Sequence, residues 1–145
     1  MGGESTGKST LTINLANRFN TNYIDEAGRD ISERSGTDLL MLSEDFTEIL
    51  LQHKLNEMKA IEHSNKVLFI DTDALNEYDL ILFMEPDVAF VQDGDRSEVI
   101  KNDREKYSRQ IKELIQAHGK QFISVSGTYQ ERYEKAVAEV EKLLK

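Results

Sequence analysis

Cysteine is absent from the 145 residues, and with it go disulfides, thiolate zinc sites and cysteine nucleophiles. No run of about 18 apolar residues is present to span a bilayer, and no charged-then-apolar leader pattern is visible. Basic charge is scarce as well: 18 Lys and Arg stand against 27 Asp and Glu, a formal net charge of −9. Binding a phosphate backbone requires Lys and Arg to displace counterions, so this balance opposes nucleic acid as a partner. Internal repeats and low-complexity segments are missing too. What remains is an ordinary globular composition, 39% hydrophobic, enough for one domain over residues 1–145. The expectation is a cytoplasmic protein with a small-molecule partner, without nucleic acid or membrane.

Against those absences stands one dense motif. Gly2-Gly3-Glu4-Ser5-Thr6-Gly7-Lys8-Ser9-Thr10 fills every fixed position of the phosphate-binding loop G-x-x-x-x-G-K-[ST]. Its glycines let backbone N–H groups curl around phosphate oxygens, Lys8 brings a point charge to the β/γ-phosphates, and the Ser9 hydroxyl suits Mg²⁺. Leu11, Leu15 and Phe19 recur on one helical face, so the loop opens a helix whose N-terminus adds its own pull on anions. ATP and Mg²⁺ are therefore the expected cofactors. Such a loop normally hangs off a buried strand, yet only Met1 precedes Gly2, and the expectation is that the strand's residues are missing before Met1.

Downstream, Thr21 to Ile24 is a short β-prone run that opens into the polar Asp25-Glu26-Ala27-Gly28-Arg29-Asp30. Ser43 followed by Glu44 and Asp45 predicts a capped helix from Glu44 to about Glu62. Its apolar residues Phe46, Ile49, Leu50, Leu51, Leu55, Met58 and Ile61 are expected to be substantially buried. Val67 to Ile70, ending at Asp71, and Leu80 to Met84 are continuous apolar runs, the pattern of central parallel strands. Only Thr72 to Asp79 lie between them, whereas parallel neighbours need a crossover of about a dozen residues, so a segment is expected to be missing around Ala74 to Asn76. A charged helix is predicted from about Glu98 to His118, with Tyr107, Ile111, Leu114 and Ile115 as its buried stripe and Gly119 as its cap. Gln121 to Val125 reads as the next strand, and Tyr129, Tyr133, Val137, Val140 and Leu144 stripe the last helix. This alternation predicts a three-layer α/β fold of the P-loop NTPase type around a mostly parallel sheet, without its first strand and one crossover.

Asp71 ends a buried strand, which in a phosphate-loop fold brings its carboxylate to the metal beside Ser9. Phosphoryl transfer to an alcohol also needs a carboxylate for the hydroxyl proton, and Glu26 and Asp73 are the candidates. Phe90 to Ser97 reads as a polar cover loop, with Arg96 placed to offset charge on the transferred phosphoryl and Arg104 as a weaker candidate. His53, His63 and His118 show no ligand spacing and read as structural or surface residues.

The phosphate loop running on to Leu11, the block Glu26-Ala27-Gly28-Arg29-Asp30, the block Phe69-Ile70-Asp71-Thr72-Asp73, and Tyr78 to Leu82 continuing to Val91-Gln92-Asp93-Gly94-Asp95-Arg96 together resemble the ribosylnicotinamide kinase domain of the bacterial NadR type. The resemblance covers nearly the whole chain in order. It implies phosphorylation of the 5′-hydroxyl of nicotinamide riboside by ATP, giving nicotinamide mononucleotide for NAD synthesis. It also implies roles for Glu26 and Arg29 at the ribose or the transferred phosphate, a place near adenine for Gly127, and coupling to other NAD-pathway domains. Phe90 occupies a place where the family usually has Trp, which keeps an aromatic face for the pyridinium cation but weakens the cation–π attraction. A nucleoside or nucleotide kinase shares most of these features, and a regulatory nucleotide switch remains the non-enzyme alternative. The guanine-reading block N-K-x-D is not present.

Overall fold

The computed structural model describes residues 1–3, 5–25, 43–72, 78–89 and 103–145, with the side chains of 43–46 and 49 left out. Helices and short strands alternate along it: α1 (Lys8–Phe19), β1 (Tyr23–Ile24), α2 (Ser43–Ile61), β2 (Phe69–Ile70), β3 (Leu82–Met84), α3 (Arg104–Ala117), β4 (Ile123–Val125) and α4 (Tyr129–Leu143). Their contacts fall into two compact units, Met1–Leu15 with Leu75–Lys145, and Ala16–Ala74.

In the first unit, β3 and β4 pair in parallel, with Leu82 opposite Ile123 and Met84 opposite Val125. On the other edge of β3 the Met84 N–H donates to the Met1 carbonyl at 2.8 Å, the Met1 amino group donates to the Leu82 carbonyl at 2.9 Å, and Gly2 forms a parallel bridge with Met84. The phosphate loop thus leaves a short parallel ladder against β3. Ile81, Phe83 and Ile115 form the core, ringed by Met1, Tyr78, Ile111 and Phe122, and the Phe83 and Phe122 rings pack tilted at 5.4 Å.

Helix α3 ends in a Schellman turn: Lys120 N–H reaches the Ile115 carbonyl and Gly119 N–H the Gln116 carbonyl. The expected cap at Gly119 is found, but the expected stripe needs correction. Ile115 is fully buried, while Leu114 is 52% exposed and Ser108 is buried in its stead. Helix α4 lies against β4 and begins with a reciprocal box in which Thr128 and Glu131 each cap the other's backbone N–H. Its buried face is Arg132, Ala136 and Val140, and Tyr129 and Leu144, expected inside, are exposed.

In the second unit, β1 and β2 pair in parallel, Tyr23 opposite Phe69 and Ile24 opposite Ile70. The Asp71 N–H extends the ladder to the Ile24 carbonyl at 2.8 Å. Thr21 ties the strand starts together: its hydroxyl donates to the Val67 carbonyl at 2.6 Å and accepts from the Asn65 N–H at 2.9 Å. Helix α2 lies against β1, and here too the buried face differs from the expected one. Leu50, Leu51, Leu55, Met58 and Ile61 are exposed, whereas His53 and Glu57 are buried. A helix apolar around most of its circumference buries only the strip that meets its neighbours. Within that strip His53 Nδ1 lies 3.2 Å from Glu57 Oε1, and Lys54 Nζ 2.9 Å from the other oxygen.

Among the described residues the strands pair as β1–β2 in the second unit and β3–β4 in the first. The fold is α/β with short parallel sheets.

Candidate phosphate-binding site

The loop before α1 has the backbone of an anion cradle. Ser5 and Gly7, either side of Thr6, have φ of 57° and 82°; left-handed residues in such a turn make successive N–H groups converge. At Gly7 a side chain would be strained by φ and would also meet the Tyr129 ring, 2.8 Å from an added Cβ. Gly2 is held as closely on the strand side, where a Cβ would lie 2.6 Å from the Met84 carbonyl oxygen.

The loop's carbonyls are taken up by side chains. Lys8 Nζ donates to the Gly2 carbonyl at 2.7 Å and more weakly to that of Gly3 at 3.4 Å, and the Thr6 hydroxyl donates to the Gly3 carbonyl at 2.9 Å. Arg104 donates to the Ser5 carbonyl at 3.2 Å and to the Val88 carbonyl at 2.6 Å. Arg132, 1% exposed, donates to the carbonyls of Thr6 at 2.9 Å, Gly127 at 2.8 Å and Glu85 at 3.0 Å, and pairs with the Asp87 carboxylate. The other Asp87 oxygen accepts the Gly127 N–H at 2.6 Å. Gly127 is thereby fastened to the exit of β3, and the Gly7 carbonyl accepts the Leu11 N–H, joining the loop to α1.

At the start of α4 the Glu131 carboxylate takes the Thr128 N–H at 2.7 Å and its hydroxyl at 2.8 Å. The backbone bond first, and the hydroxyl bond second, hold its pKa below the ordinary carboxylate value. Nearby, Glu85 is braced by Lys112 at 2.6 Å and Ser124 at 2.7 Å, with the Lys112 ammonium 5.0 Å from the Phe83 ring centre.

Of the residues expected to form the site, Gly2, Gly3, Ser5, Thr6, Gly7, Lys8, Ser9, Thr10 and Gly127 fall in the first unit. Asp71 lies in the second, buried at the end of β2. Glu4, Glu26, Arg29, Asp73, Phe90 and Arg96 lie outside the described residues. His53 is buried beside Glu57 and His63 and His118 are on the surface, in line with structural or surface roles. Arg104, considered for the transferred phosphoryl, holds the Ser5 and Val88 carbonyls. Arg132 escaped the sequence reading altogether. Its signal was phase: it stands four residues before Ala136 and eight before Val140, on the face that meets β4.

A glycine-rich turn with converging N–H groups, a lysine folded onto it and a helix opening behind it define a P-loop nucleotide-binding domain. A family model described as "AAA domain" matches residues 1–77 and 74–132, and the chain belongs to that family. It is also similar to the Trifunctional NAD biosynthesis/regulator protein NadR of Salmonella typhimurium strain LT2 and to its Escherichia coli K12 counterpart, each 31% identical over 170 residues. These alignments take in 99% of this chain and 42% of each relative. The resemblance to the NadR type is thus supported along nearly the whole sequence. An alignment of 170 residues against a chain of 145 also means that the relatives carry segments with no counterpart here.

Proposed function

We propose that this chain transfers the γ-phosphoryl group of ATP to the 5′-hydroxyl of nicotinamide riboside, giving nicotinamide mononucleotide and ADP. The observation that carries this is the alignment with two NadR proteins across 99% of the chain, together with a phosphate loop of the required backbone form. Lys8 then exchanges its carbonyl partners for β/γ-phosphate oxygens and opposes the charge gathered there in transfer. Residues 2–10 cradle the phosphates, and Gly127 adjoins the adenine. Ser9 and Asp71 are oxygen donors of the kind Mg²⁺ takes, and Mg²⁺ when bound offsets charge on the β- and γ-phosphates. Glu26 or Asp73 accepts the proton from the 5′-hydroxyl as its oxygen attacks phosphorus. Arg96 steadies the transferred group, and Glu26, Arg29, Asp73 and Phe90 hold the riboside. Residues 1–145 act as one kinase domain, cytoplasmic and coupled to further NAD-pathway domains.

The pyridinium cation separates this substrate from ordinary nucleosides. Phe90→Ala is expected to weaken nicotinamide riboside binding by about 1–2 kcal/mol while leaving ATP affinity unchanged. The reduced riboside, similar in shape but uncharged, should bind more weakly than the oxidised one. Calorimetric titration of both ribosides into both proteins tests this. Equal binding of the two, insensitive to Phe90→Ala, would favour a nucleoside or nucleotide kinase. Slow ATP hydrolysis with no acceptor turnover would favour a regulatory switch.

A further inference from the structure

Resting on the reading of this loop as a nucleotide phosphate site, we infer that Arg132 and Arg104 are positioning residues that orient the peptide groups of the phosphate loop. In a trans peptide the carbonyl and the following N–H point in opposite directions. Arg132 holds the Thr6 carbonyl at 2.9 Å and Arg104 the Ser5 carbonyl at 3.2 Å, so the Gly7 and Thr6 N–H groups are turned away from the two guanidiniums, onto the donor face of the turn. A free loop could flip either peptide and present a carbonyl oxygen to the phosphate, which repels it. Flipping either peptide would break a charge-assisted hydrogen bond, and at Thr6 it would leave the buried Arg132 donor without its acceptor.

The surroundings of Arg132 fit this role. A guanidinium presents its donors in a fixed planar fork, and this one is anchored on its remaining sides by the Gly127 and Glu85 carbonyls and the Asp87 carboxylate. Those anchors sit at the exit of β3 and the entry to α4, so the fork holds the Thr6 peptide in a fixed direction. Arg104 reaches from α3 and is anchored on the Val88 carbonyl. Two helices distant in sequence thus preset donors that bind the anion, while neither arginine need touch it. A lysine in either place keeps the charge but loses the fork.

The test uses sodium tripolyphosphate, which probes the phosphate loop without a nucleoside, on the full chain and on Arg132→Lys, Arg132→Met, Arg104→Lys and Arg104→Met. Binding is read by calorimetry on samples shown to be folded by circular dichroism, and the Gly7 amide proton by NMR. Each variant is expected to bind about tenfold more weakly, with Lys losing as much as Met, and with a smaller downfield shift of the Gly7 amide proton on saturation than wild type. A purely structural role would lower stability and leave that saturated shift unchanged. If the Arg132 variants do not fold, the Arg104 pair decides by the same criteria. Folded variants that bind within about twofold of wild type would overturn the inference, as would weakening in the Met but not the Lys variants, which would make the arginines simple sources of positive charge. Wild type that binds neither tripolyphosphate nor ATP would overturn both this and the proposed function. Weakened variants in a protein that cannot phosphorylate the riboside would sink the proposed function and leave the positioning role standing.

Discussion

Gly7 is where the loop's backbone and its surroundings make their strictest demand on one residue. Its φ of 82° belongs to the left-handed region, and the Tyr129 ring lies where a Cβ would go. Gly7→Ala therefore carries both backbone strain and a steric conflict, together about 1–3 kcal/mol of lost stability. Urea unfolding of Gly7→Ala should show this loss, and adding Tyr129→Ala should recover part of it by removing the ring and leaving the φ strain. A double variant no more stable than Gly7→Ala would show that the ring gives way freely. The residue types of this loop were legible in the sequence because each answers one physical demand. Arg132 was not, because a cation in a helix normally marks the solvent face; its burial depends on acceptors from residues 6, 85, 87 and 127 that come together only in the fold.

At the scale of elements, the start of α4 carries a measurable pH response. Glu131 is held below its ordinary pKa by the Thr128 N–H and hydroxyl, so its contribution to stability is present above the unfolded value of about 4.5 and disappears as pH falls through the lower folded value. Between those two values acid unfolding should therefore be shallower in Glu131→Gln, which keeps an acceptor for the cap but does not titrate. Identical acid slopes for the two proteins would contradict the assignment. Strands and helices were readable from apolar runs and periodicity; each strand starts two residues later than its run, Phe69–Ile70 against Val67–Ile70 for instance, whereas α2 spans Ser43–Ile61, within a residue of the expected ends. Buried faces were less readable. In α2 the apolar residues span too wide an arc for sequence to choose the buried strip, and the strip that is buried carries His53 and Glu57. In α4 the tyrosines suggested a stripe one step out of phase, since a Tyr can sit at a rim with its hydroxyl in water.

For the whole molecule, sheet connectivity was the least legible feature. Uniformly apolar strands predict parallel pairing but do not say which strand pairs with which, and the described residues show β1 with β2 and β3 with β4. The phosphate loop is complete in motif, with Ser5 and Gly7 in the left-handed region, in a chain that spans 42% of the length of the curated relatives it matches. Whether that loop serves a riboside kinase is decided by product formation. With ATP, Mg²⁺ and nicotinamide riboside, steady conversion to the mononucleotide is expected, followed by mass spectrometry, with a fall of at least about 30-fold for Lys8→Ala, roughly 2 kcal/mol of transition-state stabilisation. No mononucleotide from a folded wild-type chain that binds ATP, or equal turnover in Lys8→Ala, would contradict it.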